Sequence, residues 1–277
     1  MARGTLAIGW AHPLVWEGAP LFYGSLMETI SADWRGEKRL KGRTIAIQCG
    51  PMIDQARNDI VEAFLAHPDH PDWLLMVDAD MVWTPSDVRR LFEAADAETR
   101  PVIGGLCFAN DQRAGTIWPT MMVLHPGEDG QPPDMGRVMD WPRGEIVRVD
   151  ATGGAFLLAH RSVYERMREA VGPDNPAPWF FISYLTGIRL GEDVSFCLRC
   201  RALDIPIHVH TGVSIGHVKQ KVLTEAQFDA QQRGNRGESP TKNGALTHPP
   251  PARGALQFDG ASPGSPRRLH SLTGGAA

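Results

Sequence analysis

The chain has 277 residues, 42% of them hydrophobic and 22% charged, with a formal net charge of −4, which suits one substantial soluble core. No run of 18 apolar residues occurs, and the opening "MARGTLAIGWAHPLVW" has neither a signal-length apolar stretch nor a small-residue cleavage site, so no membrane insertion is expected and a cytoplasmic protein is the default. The four cysteines, Cys49, Cys107, Cys197 and Cys200, are too scattered in such a chain to suggest a disulfide framework.

In chain order, "TLAIGW" (5–10) predicts a strand, 21–34 a helix, and "RTIAIQCG" (43–50) a second strand ended by Gly-Pro. "IDQARNDIVEAFLAHP" then sets Ile53, Ala56, Ile60, Ala63 and Phe64 at helical spacing before Pro68 stops the helix. Trp73 to Val77 is an unbroken apolar run, the mark of a strand covered on both faces, and Asp78 and Asp80 follow where that strand must emerge. The carboxyl edge of an open α/β sheet is where ligands bind. Thr84 and Pro85 open the next helix as cap and first residue, and "PVIGGLCF" (101–108) is a fourth strand. This β-α-β-α-β order calls for a mainly parallel, Rossmann-like sheet.

The second half changes character. Residues 116–150, with "HPGEDGQPPDMG" between short β-prone runs, suggest antiparallel pieces or an inserted excursion. "VRVDATGGAFLLAHR" gives a strand entered through Gly153 and Gly154, followed by a helix from Ser162 to about Ala170. In "GEDVSFCLRCRAL", Val194, Phe196, Cys197, Cys200 and Leu203 form an approximately helical stripe, with Glu192 and Asp193 in the first turn. "IPIHVHTGVSIGHVK" closes the ordered body as one alternating strand ending at His217. Residues 234–277 hold 14 Gly or Pro in 44 and a net charge of +3, leaving −7 for 1–233; such a tail cannot repay the entropy of ordering and reads as disordered.

Together "DQARNDIVEAFL", "LLMVDADMVWTPSDVRRL", "TGGAFLLAHRSVYERM" and "GEDVSFCLRCRALDIPIHVHTGVSIGHV" resemble the GT-A class of nucleotide-sugar glycosyltransferases, closest to the small family-2-like enzymes of actinobacteria and their phages. The likeness runs over about 5–220 in the expected order. It implies a single GT-A domain over 1–233, with a nucleotide-sugar-binding half (1–110) and an acceptor-binding half (111–233), a central mostly parallel sheet and a smaller antiparallel part. It also implies transfer from a UDP- or GDP-sugar to an acceptor hydroxyl by inverting displacement, in the host cytoplasm if the chain is phage-encoded. The same fold also carries retaining chemistry.

That resemblance maps metal ligation onto Asp78, Asp80 and His217, for Mn²⁺ or Mg²⁺ on the donor diphosphate. A hard cation on carboxylates neutralises the charge that develops on the leaving group, and Asp-Ala-Asp points both side chains the same way. Asp193, with Glu192 beside it, resembles the acidic pair that deprotonates the acceptor, since an alcohol is a weak nucleophile without a base; the alternative is that both only favour a helix amino terminus. Arg57 and Asn58 map near the donor nucleotide, where a guanidinium can fork onto phosphate, or Arg57 makes a helix-surface ion pair. Gly153 and Gly154 allow close backbone approach to the sugar or acceptor, or only a turn.

Cys197-x-x-Cys200 with nearby histidines has zinc-ligand residue types, but the cysteines sit inside the apolar stripe and are read as packing. No Walker motif and no GxGxxG follows the first strand, which leaves the metal as the route to a phosphate. A sugar-phosphate nucleotidyltransferase is the alternative enzyme, but "GWAHPLVWEG" lacks its glycine-rich, lysine-bearing loop; a non-enzymatic binding protein is the third class. The acceptor stays open among a modified DNA base, a virion protein and a glycan, and the acidic body argues against tight nonspecific duplex binding.

Overall fold

The computed structural model describes residues 4–13, 19–111, 116–127, 133–172, 174–185, 187–219, 225 and 232. Contacts divide the chain into two units, Met1–Gln220 and Lys221–Ala277, and the strands and helices β1 to β15 all fall within the first. The tail expected over 234–277 lies outside the described residues.

The first half alternates as expected: β1 (Leu6–His12), α1 (Ala19–Arg35), β2 (Thr44–Gln48), α2 (Ile53–Leu65), β3 (Trp73–Val77), the short β4 (Met81–Val82), α3 (Pro85–Ala94) and β5 (Val102–Leu106). Short strands follow, β6 (Phe108–Asp111), β7 (Thr116–Pro119), β8 (Met122–His125), β9 (Asp134–Arg137) and β10 (Ile146–Val149). Then come β11 (Phe156–His160), α4 (Arg161–Val171), β12 (Ser183–Leu185), β13 (Ile188–Leu190), α5 (Glu192–Ala202), β14 (Ile207–Ser214) and β15 (Gly216–His217).

A seven-stranded sheet in the order β10-β14-β5-β11-β3-β1-β2 forms the centre. Strands β2, β1 and β3 pair in parallel, as do β14 and β5; β11 runs antiparallel to both β3 and β5, and β10 antiparallel to β14. The class is therefore α/β with a mostly parallel sheet, and the turn-rich middle supplies antiparallel hairpins, β6–β7 and β8–β9. Among the described residues no helix is long and apolar enough to cross a membrane.

Strand β3 shows why the sequence reads as it does. Leu74 and Met76 join a core with Ile60 and Phe64 of α2, Met167 of α4 and Phe196 of α5. Trp73, Leu75 and Val77 join the opposite core with Phe22 and Leu26 of α1 and Leu91 of α3. Both faces of the strand are covered, so its period-two pattern is filled with apolar residues throughout, each worth about 1.5–3 kcal/mol when fully buried. Cys197 and Cys200 are free thiols packed wholly within the first core.

Candidate active site

Four elements meet at one place, the carboxyl edge of β3. Asp78 leaves the strand there, and its amide donates to the Ala155 carbonyl at 2.9 Å. Because β11 is antiparallel, with Phe156 opposite Val77, its amino-terminal glycines arrive at the edge where β3 ends. The first turns of α2 bring Arg57, and the first turn of α5 brings Glu192 and Asp193.

Arg57 is the hub. Its side chain is only 4% exposed, and Nη2 donates to Asp78 Oδ1 at 2.7 Å while Nη1 lies 3.5 Å from Glu192 Oε1. The guanidinium sits 5.8 Å from the Phe180 ring, and Nε and Nη1 have no hydrogen-bond partner among the described residues. Burial alone would disfavour its charge, but Asp78, Glu192 and Asp193 outweigh burial and hold its pKa above the usual value. The space beside Gly154 is filled by this guanidinium, since a Cβ there would stand 2.7 Å from Cζ, and a Cβ on Gly153 would meet Thr120 at 3.2 Å.

Asn58 faces inward. Its Nδ2 donates to the carbonyls of Asp54 and Phe180, at 2.8 and 2.6 Å, and its Oδ1 accepts the amides of Trp179 and Phe180 at 3.3 and 3.1 Å. The amide is thus saturated by backbone. It fixes Phe180, which stacks on Phe196 of α5 at 4.7 Å and 7° and backs the Arg57 guanidinium.

Glu192 is mostly covered, with 15% of its side chain exposed. Burial pushes its pKa up, Asp193 and Asp78 add to the rise, and Arg57 opposes it. Asp193 turns toward the start of its own helix, with Oδ1 accepting the Val194 amide at 2.7 Å and lying 2.8 Å from where a Cβ on Gly191 would stand. Glu192 therefore faces the Arg57–Asp78 pair, and Asp193 faces Gly191.

Asp80 stands apart from Asp78 in its partners. The strand β15 pairs with β4, with His217 opposite Met81, and this brings His217 Nε2 to 2.9 Å and Lys219 Nζ to 2.8 Å from Asp80 Oδ2. His217 Nδ1 faces the Phe108 carbonyl at 2.7 Å, so Nδ1 must be the donor there. In a neutral ring Nε2 then carries only a lone pair, aimed at a carboxylate oxygen; a proton or another cation has to lie between them. Burial would lower the His217 pKa, but the hydrogen bonds to Asp80 and Phe108 raise it. Burial likewise works against the Asp80 charge, yet His217 and Lys219 hold its pKa below the carboxylate range.

Two of the three metal ligands expected from sequence thus converge as an oxygen and an imidazole nitrogen, a donor set that suits a divalent transition ion such as Mn²⁺. Asp78 has its Oδ1 on Arg57, and no group of three or more His, Cys, Asp or Glu side chains gathers as a metal centre among the described residues. Lys219 does not stand out in the sequence. The available signal is its spacing from His217, since residues two apart on an extended segment share a side.

No family model matches the sequence, and no curated protein is significantly similar. Among solved structures, the chain is similar to A197 from STIV (15% identity, TM-score 0.47, 78% of this chain and 86% of that one). It is also similar to GalNAc-T7 solved with UDP, GalNAc and Mn²⁺ (11% identity, TM-score 0.48, 78% and 44%). A third is a glycosyltransferase involved in glycosylation of the major capsid of PBCV-1 (13% identity, TM-score 0.34, 63% and 68%). At these identities, and with TM-scores below 0.5, the likenesses assign no activity, ligand or partner to this chain.

Proposed function

We propose that the protein is a metal-dependent glycosyltransferase of the GT-A type, moving a sugar from a UDP- or GDP-sugar to an acceptor hydroxyl with inversion. The observation that carries this reading is the convergence of Asp80 and His217, 2.9 Å apart, at the same sheet edge as the Asp78–Arg57–Glu192 chain: a carboxylate oxygen and an imidazole nitrogen of the kind a divalent cation takes in place of the proton between them. Asp80 and His217, with Asp78 as the third candidate ligand, would hold Mn²⁺ or Mg²⁺; when bound, such an ion would neutralise the diphosphate as it leaves.

The remaining work falls to the chain's own residues. Arg57 neutralises and orients Asp78 from a buried seat beside Gly154. Asp193, next to Gly191, takes the acceptor's proton, and a base within hydrogen-bond reach contributes about 10²–10⁴ in rate. Glu192, its charge disfavoured by burial, is the second candidate base. Lys219 shares the Asp80 oxygen and supplies a positive charge beside the donor phosphates.

A thermal-shift panel of UDP- and GDP-sugars tests the binding half of this reading. At least one donor should raise the wild-type Tm with Mn²⁺ present and leave it unmoved without the metal, and Asp80→Ala should show no such shift relative to its own unliganded Tm. The same Mn²⁺-dependent shift in Asp80→Ala would remove Asp80 from the metal site.

A further inference from the structure

A groove of about 680 Å³ is lined by residues of both the β8–β9 and β12–β13 hairpins and by Gly191 and Val194 at the start of α5. Gly191, toward which the Asp193 carboxylate turns, is thus part of its lining. Met135, Met139 and Ile188 line it, and Met139 is 63% and Ile188 59% exposed. Arg137 and Arg189 stand among them with Asp134 as the opposing charge. Arg137 lies over the Trp118 ring at 4.5 Å, and neither guanidinium is ion-paired to a carboxylate among the described residues. Among the described residues β13 pairs only with β12, so its other edge is not taken up by a strand among them.

The lining selects among acceptor classes. A glycan would set its hydroxyls against methionine and isoleucine with few polar partners, at the cost of unpaired polar groups. An alkyl chain would strip water from Arg137, Arg189 and Asp134 without pairing them. Duplex DNA needs many phosphates neutralised, and two cations beside one anion do not supply that. An extended polypeptide fits on three counts. Its backbone can add to a hairpin edge, its side chains alternate as apolar and charged groups do here, and an acidic side chain complements the two arginines. Methionine surfaces adapt to varied apolar side chains.

We propose that this groove is the acceptor subsite and that the acceptor is an extended polypeptide segment, with apolar side chains and at least one acidic side chain near the serine or threonine that receives the sugar. This rests on the glycosyltransferase reading. In the transfer, the hydroxyl oxygen forms the new bond to the anomeric carbon as the bond to the nucleoside diphosphate breaks, its electron pair leaving on the phosphate oxygen and the hydroxyl proton passing to Asp193.

The test is fluorescence anisotropy on the full chain with a short synthetic peptide in which leucine, valine and glutamate flank a central threonine, and with a copy carrying lysine in place of glutamate. The glutamate peptide should bind wild type and lose about tenfold or more in affinity with Arg137→Glu/Arg189→Glu, while the lysine copy regains binding to that variant. Both substitutions are at exposed positions, and UDP binding in Mn²⁺ should be unchanged by them. Equal affinity of the glutamate peptide for wild type and variant would overturn the proposal, as would preference for phosphatidylglycerol vesicles, an oligosaccharide or a DNA duplex over the peptide. If neither UDP nor GDP binds wild type with Mn²⁺, the transferase reading falls on its own, and the charge-swap result still decides whether the groove takes a polypeptide.

Discussion

Replacing Gly154 with alanine puts a methyl group where Arg57 already stands. The new Cβ would lie 2.7 Å from the guanidinium carbon and closer still to Nη1, whereas ordinary contact begins near 3.4 Å. The guanidinium has little room to retreat, being 4% exposed and held at 2.7 Å by Asp78. The β11 backbone cannot easily shift either, because it is paired to β3 on one side and β5 on the other. Overpacking of this kind costs about 1–3 kcal/mol, and a hydrogen bond between charged groups about 1.5–3 kcal/mol. The two losses overlap, so a combined cost of about 2–4 kcal/mol is expected. In a unit of this size each kcal/mol moves Tm by about 2–4 °C, which predicts a fall of about 4–16 °C by calorimetry. Gly153→Ala is the control, since its Cβ meets Thr120 at 3.2 Å or more, a half-buried side chain that can yield. Neither glycine has a positive φ, so backbone strain does not enter. An unchanged Tm for Gly154→Ala, or a loss no larger than that of Gly153→Ala, would refute the placement of Arg57.

Thiol reactivity should be sharply uneven. Burial pushes the Cys197 thiol up to about 12 and the Cys107 and Cys200 thiols well above their ordinary value, while Cys49 is only partly buried; titration with a disulfide reagent should find one reactive thiol in the native protein and four after denaturation, and rapid reaction of a second native thiol would contradict the packing. Burial also holds the pKa of His160, His208 and His210 below the free value, with Arg100 and Arg148 adding to the effect at His208 and Arg90 at His210. A native pKa below the unfolded value of about 6.5 means stability fully present above that pH and lost as pH falls toward the native values. Their contribution to the urea midpoint should therefore fall between about pH 7 and pH 5, against the opposite contribution of His217, and His208→Gln/His210→Gln should raise the midpoint at pH 5 relative to that at pH 7; a pH dependence unchanged by the double substitution would refute the assignment.

The fold is legible wherever burial imposes a local period. The run from Trp73 to Val77 announces a strand covered on both faces, and the cap at Thr84 announces α3, where Asp87 accepts from the Thr84 amide at 2.9 Å. Partner choice is not legible, because nothing in "FLLAH" states that β11 inserts antiparallel between β3 and β5. The stretch 207–217 reads as one strand, yet it breaks at Ile215 so that β15 can turn to β4. Buried and less buried residues alternate through that break, and so the pattern hides it. The site divides in the same way. Asp78, Asp80, Glu192, Asp193 and His217 stand out as chemistry-bearing residues at element ends. The burial of Arg57, the inward turn of Asn58 and the approach of Lys219 to Asp80 depend on long-range packing that local spacing does not encode.

The most direct test of metal-dependent transfer is proton NMR of the anomeric region while the full chain is incubated with a UDP- or GDP-sugar and Mn²⁺, water serving as acceptor when no other is present. The donor signal should decline, the first product signal should carry the opposite anomeric configuration, and chelation of the metal or Asp80→Ala should stop the decline. With Asp193→Asn the rate should fall by roughly 10²–10⁴ while donor affinity is retained. A donor signal that persists across the whole panel with Mn²⁺, or a decline that proceeds at the wild-type rate in Asp80→Ala, would contradict the assignment.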